Sequence, residues 1–293
     1  MFTSCNNTFN SALTHIFYSA WANAGNWAEM VEPNVTMLRN LVSNIEQTAP
    51  LRTVSLMQGY KVYGAHLGPF KTPARESDPG VPGAEFNAAQ LTWLSHFQRG
   101  KTWHWNAIRP GVVGSTVPGN AMNLALSIAI YASLCKAQDL PLRFPGSEKT
   151  WHSIVDHTDA GLLADATLWA ATSPTAQNQA FNVNNGDIWR WCELWPRIAS
   201  WFELASAPPV RVSFHQLFVD YRTHWRELAG QSLVEADILR LSDGKFADFV
   251  FGWNYDMFGD GSKLRRAGFT EMQATDDMFF RLFAQLRAAR IIP

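Results

Sequence analysis

Between His15 and Val183 the sequence alternates short runs of β-branched, apolar and aromatic residues with segments of helical period. That alternation is the strongest constraint on the fold, because strands joined through helices pair in parallel and build an α/β layer structure. His15-Ile16-Phe17-Tyr18-Ser19-Ala20-Trp21 reads as a buried strand. A helix over Asn34 to Gln47 follows, with Met37, Leu38, Leu41 and Ile45 on one face. Thr53 to Met57 reads as the next strand, Gly59 to Gly83 as a Gly- and Pro-rich loop, and roughly Asn87 to Gln98 as a helix. The strand Trp103 to Ile108 ends at Arg109-Pro110-Gly111, and an apolar helix starts near Ala121. Leu142-Arg143-Phe144 and Ala180 to Val183 read as further strands around a helix over Asp159 to Ala171. Beyond Gly186 the pattern is mostly helical. The last helix has Thr275 as its cap, Asp276 and Asp277 in its first turn, and Arg287 and Arg290 in its last. Its buried stripe is Phe279, Leu282, Phe283 and Leu286.

Composition narrows the function classes. The 293 residues carry 24 basic and 25 acidic side chains, a formal charge of -1, which argues against nucleic acid or an acidic membrane as the main partner. Three cysteines make no disulfide framework, so a reducing, cytoplasmic setting is the expectation. No apolar run approaches the roughly 18 residues of a membrane span. The polar opening, Met1 to Ser11, lacks the basic and apolar regions of a signal peptide. The 13 tryptophans imply a large apolar core or a pocket.

Two loops at strand ends are placed to carry chemistry, since ligands of open α/β sheets bind beyond the carboxyl ends of the strands. In Gly59-Tyr60-Lys61-Val62-Tyr63-Gly64, a lysine can hold a ribose hydroxyl and lower the pKa of a neighbouring phenol. The alternative is a solvated lysine between two packing tyrosines. Arg109-Pro110-Gly111-Val112-Val113-Gly114, followed by Gly119-Asn120-Ala121-Met122-Asn123, is either a ligand-lining loop or a plain strand-to-helix connection. Gly111, Gly114 and Gly119 are interrupted by Pro118 and do not match a phosphate-binding fingerprint, and no such glycine-rich turn precedes His15. His152, Asp156, His157 and Asp159 fit no common zinc template; capping and core hydrogen bonds suit them better. There is no G-x-S-x-G elbow. Cys135 and Cys192 read as inert thiols, and Trp189, Trp191, Trp195 and Trp201 as core packing.

Several segments together resemble one family. Tyr60-Lys61-Val62-Tyr63, Gly68-Pro69-Phe70, Arg109-Pro110-Gly111, Met122-Asn123-Leu124, Phe144-Pro145-Gly146-Ser147, Trp151 and Ala180 to Asp187 look like the progesterone 5β-reductase and iridoid synthase-like enzymes. These are atypical extended short-chain dehydrogenases/reductases. The resemblance runs from about Leu13 to the C-terminus. It implies an α/β fold with a Rossmann-like parallel sheet and a mainly helical C-terminal substrate domain. The division implied is residues 1–120 for a partial cofactor domain and 121–293 for the substrate domain, with strands of about 141–185 interleaved back into the sheet. It also implies NADPH as hydride donor and reduction of the C=C bond of an activated enone or enal, a small apolar carbonyl-conjugated substrate. A homodimer is left open.

Carried over by position, Lys61 matches the family's catalytic lysine, and Tyr63 an aromatic beside it that is not the proton-handling tyrosine. Ala20, Trp21 and Ala22 fall at the end of the strand beneath the cofactor. Pro110, Gly111 and Val112 match the loop beside the nicotinamide, and Met122 with Asn123 the segment after it. Two departures stand out. Where the family has Phe-Tyr-Tyr-x-x-Glu-Asp, this chain reads Phe86-Asn87-Ala88-Ala89-Gln90-Leu91-Thr92, so Ala88 replaces the catalytic tyrosine. The family also carries about three strand–helix units before the strand that here begins near His15, which implies an N-terminally truncated sheet without the phosphate-holding helix N-terminus. Two other readings follow: a catalytically silent cofactor-binding protein or fragment, and a nucleotide-sugar epimerase or dehydratase. The last calls for Tyr-x-x-x-Lys, which is not found in the expected place.

Overall fold

A computed structural model describes residues 12–81, 85–232 and 234–293. The polar opening Met1 to Ser11 and the end of the Gly59 to Gly83 loop lie outside the described residues. The chain forms two compact units. The first takes the chain up to Pro110 together with Leu163–Val183 and Gly259–Glu271; the second takes Gly111–Leu162, Asn184–Phe258 and Met272–Pro293. Each unit is assembled from three stretches of the chain, and the first change of unit falls between Pro110 and Gly111.

The first unit holds a parallel sheet of four strands in the order His15–Tyr18, Thr53–Met57, His104–Pro110, Gln179–Val183. Its faces follow from the period of two in a strand. Val54 and Leu56 point into an apolar cluster with Ile16, Tyr18, Leu38, Val42, Leu94 and Trp103. That cluster is covered by the helices Val31–Thr48 and Phe86–Phe97. Thr53 and Ser55 point the other way, where each polar atom is satisfied. Thr53 Oγ1 donates to the Ala171 carbonyl (2.9 Å), Ser55 Oγ to Asn106 Oδ1 (2.7 Å), and Asn106 Nδ2 to the Ala170 carbonyl (2.9 Å).

Three local expectations change in this unit. The first strand stops at Tyr18, and Phe17 and Trp21 are 52% and 55% exposed, so it is half-buried and not buried throughout. The helix Val31–Thr48 buries Asn34, Val35, Leu38 and Val42, leaving Leu41 exposed. The rotation has a polar cause: the Asn34 side chain accepts from the Ala22 N–H and donates to the Ala22 and Met30 carbonyls, so it is buried with its bonds made. Of the strands expected within 141–185, only Gln179–Val183 joins the sheet.

The second unit is mainly helical, with three short strand pairs: Val112–Gly114 with His157–Asp159, Ile154–Val155 with Trp189–Arg190, and Leu142–Arg143 with Ser206–Ala207. Its core is aromatic. Phe144 meets Trp195 and Phe251 edge-on at 5.3 and 5.4 Å, and Trp195 Nε1 donates to the Leu142 carbonyl. Trp191 and Trp195 are thus packing residues. The helix Leu124–Ala137 is buried from Leu124 through Cys135, and burial pushes the Cys135 thiol up to about 11. Asp159 caps the next helix by accepting from the Gly161 and Leu162 N–H groups, and it pairs with Arg281. The last helix, Thr275–Ala288, has the expected stripe, but its cap differs. The Asp187 carboxylate takes both the N–H and the hydroxyl of Thr275, at 2.9 and 2.6 Å. Arg290 lies beyond the helix end. No helix among the described residues is long and apolar enough to cross a membrane.

Candidate functional site

In the first unit the carboxyl ends of the parallel strands share one side of the sheet, and three groups of expected residues follow them. Ala20, Trp21 and Ala22 come after the first strand, Lys61 and Tyr63 after the second, and Pro110 closes the third. The second strand continues alongside the third, with the Gln58 N–H donating to the Ile108 carbonyl (2.8 Å). The chain then winds into a short 3₁₀ turn, Tyr60–Tyr63, in which Tyr60, Val62 and Tyr63 are buried. Lys61 alone of these four reaches outward. Its amine stands 4.9 Å from the centre of the Trp27 ring and makes no hydrogen bond to a described residue. Burial lowers its pKa, and the charge of Glu85 acts in the opposite sense.

Tyr63 has a different environment from the lysine-activated phenol expected of this turn. Its hydroxyl donates to Asn182 Oδ1 (2.6 Å) and accepts from Arg109 Nη1 (2.9 Å), and the cation facing its ring is Arg109. Burial pushes the phenol up to about 12, outweighing the favourable Arg109 charge. Tyr63 is therefore neutral and committed to its two partners over the physiological range.

The same bonds extend in both directions. Arg109 Nε donates to Gln58 Oε1 (2.9 Å), Gln58 Nε2 to the Asn87 carbonyl (2.7 Å), and Asn87 Nδ2 to Glu85 Oε1 (2.7 Å). On the other side, the Asn182 N–H donates to Glu76 Oε1 (2.7 Å), and Asn182 Nδ2 to the Ala74 carbonyl (2.9 Å). Burial raises the Glu76 pKa. Gly259 is where this region tolerates no side chain: a Cβ there would lie 2.6 Å from the Tyr60 hydroxyl. Glu85, Gln58, Glu76 and the Tyr63–Asn182 bond were not singled out by sequence reasoning. Only the strand-end positions of Gln58 and Asn182 offered a signal.

Glu85 also explains how the helix Phe86–Phe97 begins without the family's tyrosine. Its buried carboxylate, 1% exposed, accepts from the N–H groups of Asn87 and Ala88 and so caps the helix. Ala88 stands in the first turn with only a methyl side chain. Trp21 stacks on Phe86 with the rings 10° apart and their centres separated by 6.5 Å.

The remaining expected residues lie in the second unit. The Gly111 N–H donates to Thr158 Oγ1 (3.0 Å), and Val112 opens a strand paired to His157–Asp159. Asn123 is buried, accepts from the Leu126 N–H as a helix cap and donates to the Val117 carbonyl, so its side chain is structurally occupied; Met122 is exposed. A cleft of about 580 Å³ in the first unit is lined by Arg75, Glu76, Asp260, Lys263 and Arg266 among others, and none of the expected residues borders it.

A parallel α/β sheet with loops gathered beyond the carboxyl ends of its strands is the place where open α/β folds of the Rossmann type bind their ligands. The comparisons agree. The family described as the PRISE-like Rossmann-fold domain matches residues 7–293, and the chain belongs to that family. It is 31% identical to the 3-oxo-Delta(4,5)-steroid 5-beta-reductase of Arabidopsis thaliana and 30% identical to the (S)-8-oxocitronellyl enol synthase of Antirrhinum majus. Each alignment covers 96% of this chain and 75% of the relative. Among solved structures it is similar to RMD from Pseudomonas aeruginosa complexed with NADPH, with a TM-score of 0.61 at 13% identity over 94% of this chain and 82% of that one. The chain is an oxidoreductase of the short-chain dehydrogenase/reductase superfamily.

Proposed function

We propose that this protein is an NADPH-dependent reductase of the C=C bond of an activated enone or enal, a small apolar substrate conjugated to a carbonyl. The observation that carries the reading is Lys61: an amine on a rigid turn at a strand end, with no hydrogen bond to a described residue. An ammonium at that place can donate to the sugar hydroxyls of a nicotinamide nucleotide, and the RMD structure with NADPH supports the choice of cofactor. The names of the two plant relatives support the substrate class. The cofactor, when bound, supplies hydride. Lys61 holds the ribose and carries the one mobile proton of the turn. Tyr63, bound to Arg109 and Asn182, fixes that turn and takes no part in proton transfer. Ala20 to Ala22 and Pro110, at the ends of the neighbouring strands of the first unit, border the nucleotide in this reading.

Ala88 favours a second reading, a cofactor-binding protein without turnover, because a positioned acid contributes about 10²- to 10⁴-fold to such a step. One experiment separates the two. NADPH is titrated by quenching of tryptophan emission, and its oxidation is then followed with a panel of enones and enals. Turnover that disappears in Lys61→Ala supports the reductase. Saturable quenching without oxidation of any enone refutes it in favour of the silent protein.

A further inference from the structure

The end of the Lys61 side chain is held by unusual means. Its turn is anchored by buried Tyr60, Val62 and Tyr63, so the position of the backbone is set. The flexible four-carbon stem is not, and an amine without a hydrogen bond would ordinarily sample many rotamers. Two groups limit it. The Trp27 indole lies beneath the amine at 4.9 Å, and the His66 ring packs on that indole with 4.3 Å between centres, fixing its orientation. The charge of the Glu85 carboxylate, which Asn87 and Ala88 hold in place, acts on the amine in the sense that favours its charged form.

We propose that Trp27 is a positioning residue for Lys61, holding its ammonium by an indole face where Ala88 provides no hydroxyl. This rests on the role given to Lys61 above. The physical argument is one of charge. The negative face of an indole and a fixed carboxylate both favour the ammonium over the neutral amine, against burial, which favours the amine. His66 opposes them only if charged, and burial together with the Lys61 charge lowers its pKa, so it stays neutral near pH 7. Glu85 and His66 are the titratable groups that act on this amine.

The test reads the Lys61 titration directly. The lysines are dimethylated with ¹³C-formaldehyde, the Lys61 resonance is assigned by its loss in Lys61→Arg, and its midpoint is followed by NMR in the full chain without cofactor or substrate. Trp27→Leu keeps an apolar cover and removes the aromatic face; the midpoint is expected to fall by about half a pH unit, with Trp27→Phe between. A midpoint unchanged or raised in Trp27→Leu overturns the assignment. Trp27 is only partly buried, so its variants are expected to fold. The readout is independent of turnover. Lowered midpoints without enone reduction leave this inference standing and the reductase reading refuted, and the converse result does the reverse.

Discussion

Replacing Tyr63 by Phe removes one oxygen and leaves the ring packing in place. Two bonds vanish with it: the one accepted from Arg109 and the one donated to Asn182. A hydrogen bond to a charged group contributes about 1.5–3 kcal/mol, and a buried acceptor left without its donor costs about 1–3 kcal/mol. Asn182 is fully buried, so water does not take over, and the two effects overlap because they share the hydroxyl. The expected loss is roughly 3 kcal/mol, set against a typical domain stability of about 5–15 kcal/mol. Equilibrium urea unfolding followed by tryptophan fluorescence measures it. With a slope of about 2–3 kcal/mol/M, the midpoint falls by roughly 1 M. The double variant with Asn182→Ala is the internal check, because the two changes remove the same bond and their losses then fall short of the sum. A loss below about 0.5 kcal/mol for Tyr63→Phe would refute the argument that this hydroxyl ties the strand ends together.

Three further outcomes are expected. The His157 ring is packed against Trp189, Trp191 and Phe279, and burial pushes its pKa down to about 3. The unfolded chain then binds more protons below about pH 6.5, so the stability present above that pH is lost as the pH falls toward 3, by about 2 kcal/mol at pH 5. His157→Phe should flatten this slope in melting curves recorded from pH 8 to pH 5, and an unchanged slope assigns the effect elsewhere. Gly259→Ala drives a methyl into the Tyr60 hydroxyl and should destabilise by about 1–3 kcal/mol, read as a lower melting temperature; a neutral result means the loop yields freely. Asp187→Ala removes the cap of the helix Thr275–Ala288 and should cost about 1 kcal/mol in urea unfolding, whereas Asp187→Asn, which keeps an acceptor, should cost less.

The parallel α/β layer was legible because it depends on local periodicity. Thr53 to Met57 alternates within five residues, and the helix Thr275–Ala288 carries its apolar stripe within four turns. Lys61 was legible as well, because a strand end followed by a short glycine-bounded turn places it beyond the sheet edge whatever the rest of the chain does. Reading apolar residues alone went astray where a polar side chain finds its partners in space. Asn34 turns its helix by bonding to Ala22, and Asp187 displaces Thr275 as the cap of a helix 88 residues further on.

What the sequence by itself determined is the main strands and helices of the parallel layer, their order, and the family to which their loops belong. Only the tertiary structure decided the ionisation and commitment of the site. Tyr63 and Asn182 are 119 residues apart, and nothing in either neighbourhood says that they share a proton. Whether a tyrosine is activated by a neighbouring cation or held neutral by burial depends on how deeply it is packed and on which charge lies within a few ångströms. Those are properties of packed strands, and they do not exist until the strands meet.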